Sequence, residues 1–202
     1  MRISVDAMGG DYAPKEIVRG ALDAASTING LEKLFLVGDK KLIQNELDKS
    51  LKEIPDCIEI ISATEVVDMG EAPASAIRKK KDSSISRAID LVKEGKADAI
   101  FSAGNTGAAV AAATLKLRTL EGVNRPAIAT VMPTSKDPFV LLDAGANTDS
   151  TPEMLQQFAV MGKIYCKEIL GVKSPRVGLL SIGEEEAKGN ETTKKSFNLL
   201  NN

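Results

Sequence analysis

The stretch from Ala97 to Leu117 constrains the fold more than any other part of the sequence. It opens on Ala97–Phe101, a short apolar run suited to a strand buried on both faces. It closes on Ala108–Leu117, which is rich in alanine, the residue with the highest helix propensity. The polar turn Ser102–Gly107 lies between them, and its glycines allow a close backbone approach. The sequence therefore predicts a strand, a turn and a helix whose free N–H groups can bind an anion, although such turns are also common for purely structural reasons.

Apolar runs and amphipathic segments alternate in the same way along the whole chain. Strands are predicted at Arg2–Asp6, Lys33–Val37, Cys57–Ile61, Ala127–Met132, Phe139–Leu142 and Arg176–Ile182, and helices from Pro14, over Lys40–Leu51, and from Ile85, Thr151 and Asn190. Crossovers of about a dozen residues or more between strands imply a mainly parallel sheet covered by helices. The fourth and fifth of these runs, separated by a polar turn with proline, are the exception and suggest an antiparallel pair. We predict one three-layer α/β/α domain over residues 1–202.

Composition excludes several classes of function. A net charge of −2 and 3% aromatic residues argue against a general nucleic-acid binder. Because the sequence has no histidine, it contains no Ser-His-Asp triad, no Cys-His pair and no histidine-ligated zinc site. Cys57 and Cys166 lack metal or redox spacing, which fits a reducing compartment. No apolar run reaches the roughly 18 residues needed to span a bilayer, so we expect a cytoplasmic protein.

Polar turns follow four of the predicted strands, at Asp6–Asp11, Ser102–Gly107, Asp143–Asn147 and Ser181–Asn190. The carboxyl ends of parallel strands open on one edge of a sheet, so these turns can converge on one cleft. The sequence lacks both the dinucleotide and the nucleoside triphosphate glycine fingerprints. A small anion such as inorganic phosphate is therefore the favoured ligand.

A run of four basic residues interrupts this pattern: Arg78, Lys79, Lys80 and Lys81. Charge runs are most often solvated helix ends. The alternative is a docking patch for an acidic partner.

Several motifs occur in an order typical of a known family. They are Val5–Asp11, Ser102–Ala108, Arg125–Ala127, Leu142–Asn147, Ser174–Leu179 and Lys188–Asn190. In these motifs the chain closely resembles the PlsX family of acyl-ACP:phosphate acyltransferases. The resemblance implies an enzyme of bacterial phospholipid synthesis that converts acyl-acyl carrier protein and inorganic phosphate to acyl phosphate and free carrier protein. It also implies a homodimer without metal or organic cofactor, and a fold like that of phosphotransacetylases and isocitrate or isopropylmalate dehydrogenases.

The chain departs from the family pattern in two respects. Tyr12 stands where the family usually has histidine, so no histidine acid–base role carries over to that position. The family also continues well beyond residue 202 with another glycine-rich active-site segment and a region for membrane association and dimer formation. We therefore expect residues 1–202 to be the N-terminal portion of a longer fold, with peripheral membrane association through that further region. Whether residues 1–202 are active by themselves is left open.

The turns supply the residues that we expect to carry this chemistry. We predict that phosphate attacks the thioester directly, with catalytic roles for Ser102, Asn105 and Lys188. Substrate or phosphate contacts are predicted for Asp6, Gly9, Gly10, Asp11, Gly104, Thr106, Gly107, Asp143, Asn147, Gly189 and Asn190. The basic run is predicted to dock acyl carrier protein, which is acidic.

Two rival functions use the same turns. A metal-dependent dehydrogenase of the related fold would place Asp6, Asp143 or Asp149 around Mg²⁺. A non-catalytic anion-binding module would use the turns without turnover.

Overall fold

The protein is an α/β protein with a mainly parallel sheet. Its computed structural model describes residues 1–50, 53–183 and 188–201. Contacts divide the chain into two compact units, Met1–Arg118 and Thr119–Asn202. The organisation of residues 1–202 as one domain stays a prediction.

The first unit contains the parallel sheet. Its elements are β1 (Arg2–Asp6), α1 (Lys15–Thr27), β2 (Lys33–Gly38), α2 (Lys40–Asp48), β3 (Ile58–Ser62), α3 (Pro73–Lys79), α4 (Ser84–Lys93), β4 (Ala99–Phe101) and α5 (Thr106–Lys116). The strand order is β3-β2-β1-β4, and every neighbouring pair is parallel. The chain steps outward from β1 to β2 and β3 and then returns to the opposite side of β1 to form β4. The topological switch point therefore lies between β1 and β4, which is where open α/β sheets bind ligands.

Helices cover both faces of this sheet. Along β2, Leu34 and Leu36 pack into a cluster with α1 and α2, whereas Phe35 and Val37 pack into a cluster with α4. The strand is thus buried on both faces, as its continuous apolar run predicts. Burying a side chain such as that of Leu36 contributes roughly 1.5–3 kcal/mol to the free energy of unfolding.

The second unit contains an antiparallel pair and two helices. The elements are β5 (Thr130–Met132), β6 (Phe139–Leu141), α6 (Pro152–Glu168) and α7 (Glu191–Leu200). The antiparallel pairing of β5 with β6 confirms the expectation from the sequence. Thr151 is the N-cap of α6 and accepts a hydrogen bond from the Met154 N–H at 3.3 Å, as the Thr-Pro-Glu signature predicts.

One predicted strand is not formed. The segment Arg176–Ile182 pairs with no strand in the part of the chain that the structure describes. Its side chains Leu180 and Ile182 are 83% and 86% exposed. The prediction was wrong here because an apolar run becomes a strand only when a neighbouring strand accepts its hydrogen bonds. Leu51, the predicted end of the second helix, lies outside the described residues.

Candidate functional site

The switch point brings together the turns that follow β1 and β4. Asp6 is the last residue of β1, and Ser102 directly follows β4. The Ser102 hydroxyl donates to Asp6 Oδ2 at 2.8 Å and accepts from the Gly104 N–H at 3.1 Å. The predicted residues of these two turns therefore do lie side by side.

The two turns touch through their glycines. A Cβ atom added at Gly9 would lie 2.5 Å from Asp6 Oδ2 and 3.0 Å from the Gly104 nitrogen. Gly10 has a φ of +110°, and a Cβ there would lie 3.1 Å from the Ala103 carbonyl oxygen. Gly9 leaves no room for a side chain, and Gly10 has a backbone conformation that favours glycine. Asp11 and Tyr12, which follow in the same turn, are exposed.

The Asp6 carboxylate is buried at this junction. Asp6 is 3% exposed, and its Oδ1 has no hydrogen-bond partner within the described residues. Leaving a buried acceptor unsatisfied costs about 1–3 kcal/mol. Such an unsatisfied group in a native fold is a candidate for a functional role.

Asn105 organises the turn after β4 from its other side. Its Oδ1 accepts from the Ala108 N–H at 2.9 Å and so caps α5. Its Nδ2 donates to the carbonyl oxygens of Asp68, Met69 and Glu71 at 3.1–3.2 Å. An amide has two hydrogens, and these three acceptors occupy both. The Asn105 side chain thus holds the turn in place. Its predicted catalytic role stays a prediction.

Three consecutive backbone N–H groups remain at the start of α5. Those of Asn105, Thr106 and Gly107 have no acceptor among the described residues, whereas the Gly104 N–H is taken by Ser102. Free N–H groups of a first helical turn, at the positive end of the helix dipole, form an anion-binding site. These backbone N–H groups can thus bind an anion, whereas the side chains of Ser102 and Asn105 hold the turn through hydrogen bonds.

The segment Asp68–Pro73 packs against this helix end, and the sequence did not reveal its role. Besides accepting from Asn105, it places Pro73 so close that a Cβ added at Gly107 would lie 2.5 Å from Pro73 Cγ. The only local signal was the loss of periodicity between Ser62 and Ser75.

The basic run divides into two kinds of residue. Arg78, Lys79 and Lys81 are exposed and form no ion pair within the described part of the chain. Lys80 is partly buried, forms an ion pair with Glu71 and donates to the Val66 carbonyl oxygen at 2.6 Å. The hydrogen bond from Lys80 lowers the pKa of Glu71 and raises that of Lys80. Lys80 is therefore engaged within the protein, unlike its neighbours, and its predicted docking role stays a prediction.

In the second unit, Asp143 orders the loop that follows β6. Burial by itself raises the pKa of Asp143. Hydrogen bonds from the Ile128, Ala146 and Asn147 N–H groups and from the Asn147 side-chain amide outweigh this effect, so the pKa lies below its ordinary value. These four donors lie 2.7–3.1 Å away. Asn147 also donates to the Pro126 carbonyl oxygen at 2.9 Å. Both side chains thus hold the loop, and their predicted contacts with substrate stay predictions.

The last predicted turn leads into α7. Asn190 is the N-cap of this helix and accepts from the Thr193 N–H at 2.9 Å. Gly189 has a φ of +87°. Lys188 is exposed. Residues 184–187 of this turn lie outside the described part of the chain.

The described residues contain no group of three or more aspartate, glutamate or cysteine side chains that could hold a metal ion. None of their helices is both long enough and apolar enough to cross a bilayer.

Comparison with known proteins places the whole chain in one family. The model of a family described as fatty acid synthesis protein matches residues 1–202. The chain belongs to this family. Its membership confirms the resemblance to PlsX drawn from the sequence motifs.

Curated members of this fatty acid synthesis family are named phosphate acyltransferase. The chain is 54% identical over 201 residues to the one from Halothermothrix orenii and 52% identical over 200 residues to one from Clostridium botulinum. In both cases the match covers 99% of this chain and 59% of the relative. The chain thus spans about three-fifths of the length of these relatives.

A solved structure shares the fold. It is the EutD phosphotransacetylase from Staphylococcus aureus, with a TM-score of 0.71 and 19% identity, covering 100% of this chain and 63% of that structure. The likeness confirms the predicted phosphotransacetylase-like fold.

Proposed function

We propose that this chain carries the phosphate-binding part of an acyl-acyl carrier protein:phosphate acyltransferase. The observation that carries the proposal is the row of three N–H groups at the switch point, on Asn105, Thr106 and Gly107, that have no acceptor in the part of the chain that the structure describes. Inorganic phosphate matches this row in charge and in its number of acceptor oxygens. The names of the family relatives, phosphate acyltransferase, support this choice of anion.

The proposed reaction is a direct attack. An oxygen of phosphate bonds to the thioester carbonyl carbon, the C–S bond breaks, and the electron pair leaves with the carrier protein's sulfur, which then takes a proton. The helix N–H groups orient the phosphate and help to stabilise the negative charge that develops on the thioester carbonyl oxygen. The catalytic role of Lys188 remains a part of the proposal.

A covalent route through Ser102 is the competing mechanism. The Ser102 hydroxyl donates to Asp6, so a carboxylate stands where a base would have to act. The same hydroxyl accepts from the Gly104 N–H, so both its proton and its oxygen are engaged in holding the turn. We therefore assign Ser102 and Asp6 to shaping the turn rather than to attack.

A chimera tests the function. Residues 1–202 of this chain replace the matched stretch of the Halothermothrix orenii phosphate acyltransferase. With acyl-acyl carrier protein and ³²P-labelled phosphate, we expect labelled acyl phosphate to form. Failure of the chimera to transfer label, when the parent relative does so and the chimera is folded, would contradict the function. Recovery of acylated Ser102 from a quenched reaction would replace direct attack by the covalent route.

Docking of the acidic carrier protein is proposed for the exposed basic residues. We expect the double variant Lys79→Glu/Lys81→Glu of the chimera to slow association with acyl-acyl carrier protein by about tenfold at low salt, because complementary charge steers encounter. The matched control is Lys40→Glu/Lys41→Glu, which changes two other exposed lysines and the net charge equally. Stopped-flow association rates across a salt series measure the effect. Equal losses of association rate in both double variants would show that the basic run is a solvated surface and not a docking site.

The remaining parts of the proposal follow from the family resemblance. They are cytoplasmic location, a homodimer, and peripheral association with the inner face of the membrane.

A further inference from the structure

Glu71 is the centre of a small polar network beside α5. Its carboxylate accepts from Lys80, and Oε1 also accepts from the Asp68 N–H at 2.8 Å. The Glu71 N–H donates back to the Asp68 carbonyl oxygen at 3.2 Å. Lys80 also donates a hydrogen bond to the Val66 carbonyl oxygen. One lysine and one glutamate thus close the segment 66–71 into a fixed loop.

This loop presents its carbonyl oxygens to Asn105. The carbonyl oxygens of Asp68, Met69 and Glu71 accept the Asn105 amide, whose own oxygen caps α5. The loop continues into Pro73, which lies against Gly107. Both ends of the row of free N–H groups are therefore held by the segment that Lys80 and Glu71 close.

We propose that Lys80 and Glu71 are positioning residues that hold the free N–H groups of Asn105, Thr106 and Gly107 in the arrangement that binds phosphate. Neither side chain touches the anion. The proposal rests on the proposed function, since it takes phosphate as the ligand of these N–H groups. It also separates Lys80 from its neighbours Lys79 and Lys81, which form no such contacts within the described residues.

Positioning and simple electrostatics predict opposite results for Glu71. Removing a negative charge beside an anion site strengthens anion binding if charge alone matters. If Glu71 holds the loop, its loss weakens binding because the N–H groups lose their arrangement. For Lys80 the two effects have the same sign, so Lys79 and Lys81 supply the comparison.

The test is a phosphate titration of the chimera described above, ¹⁵N-labelled and followed by the amide signals of Asn105, Thr106 and Gly107. We expect Lys80→Met and Glu71→Met, which remove the donor and the acceptor of this network, each to raise the dissociation constant for inorganic phosphate by about tenfold, within the range of typical couplings between sites. Lys79→Met and Lys81→Met should change it less than twofold, and Lys80→Arg should restore most of the loss. Unchanged signals from β1 and β2 establish that each variant is folded.

The outcomes separate this inference from the function on which it rests. Absence of any phosphate-dependent shift in the unsubstituted chimera overturns the phosphate site itself. Binding by the unsubstituted chimera together with tighter binding by Glu71→Met overturns the positioning role, and so does equal binding by Lys80→Met and Lys79→Met. If Lys80→Met does not fold, Glu71→Met and Lys80→Arg decide.

Discussion

Substituting Gly9 by alanine is expected to abolish phosphate binding and to destabilise the first unit. The new Cβ would lie 2.5 Å from Asp6 Oδ2 and 3.0 Å from the Gly104 nitrogen, so the turns after β1 and β4 must move apart. Forcing a methyl group into such a packed site costs about 1–3 kcal/mol. The Gly104 N–H donates a hydrogen bond to the Ser102 hydroxyl, so a shift of Gly104 also moves the turn that presents the free N–H groups. Chemical denaturation measures the loss of stability, and phosphate titration the loss of binding.

The matched control for this substitution is Gly20→Ala. Gly20 lies inside α1, and a Cβ there meets nothing within 4 Å. Alanine in an open helical position stabilises a protein by about 0.5–1 kcal/mol relative to glycine. The two Gly→Ala changes should therefore have opposite signs. A Gly9→Ala variant as stable as the Gly20→Ala variant would contradict the close packing of the two turns.

Asn105→Ala is expected to cause the second large effect. It removes the cap of α5 and leaves the carbonyl oxygens of Met69 and Glu71 without a donor among the described residues, whereas that of Asp68 keeps the Glu71 N–H. A lost cap and unsatisfied acceptors together cost about 2–4 kcal/mol. Amide hydrogen exchange in α5 measures this loss as a reduced free energy of local opening.

Two further variants define the origin of that loss. Asn190→Ala removes the cap of α7, whose side chain makes only the Thr193 bond within the described residues. It should lower the free energy of local opening of α7 by about 1 kcal/mol. Asn105→Asp keeps an acceptor for the Ala108 N–H but brings a carboxylate against carbonyl oxygens, so we expect it to be no more stable than Asn105→Ala. A loss in Asn105→Ala no larger than in Asn190→Ala would show that the segment 68–71 adds nothing to the cap.

Local patterns determined most of the fold. The apolar runs of β1, β2 and β3 and the spacing of the helices require only neighbouring residues, and the structure forms these elements close to the predicted bounds. The polar turns after β1 and β4 were also predicted from sequence. Their adjacency follows from a parallel sheet in which both strands end at one edge.

The tertiary structure alone decided what individual side chains do at the site. Asn105 is 37 residues from Asp68 along the chain, and no local sequence pattern indicates that its side-chain amide donates to the Asp68 carbonyl oxygen. Lys80 has the same charge as Lys79 and Lys81 but is distinguished by its contact with Glu71.

The same reason explains the strand predicted at Arg176–Ile182. Its apolar residues express a preference, and whether a strand forms depends on a partner that the local sequence does not specify. The sequence by itself therefore determined most of the strands and helices and the position of the turn for which we propose anion binding, since periodicity and helix propensity are local properties. The structure decided which groups at that turn are free, because hydrogen bonds between distant segments consume some donors and leave others.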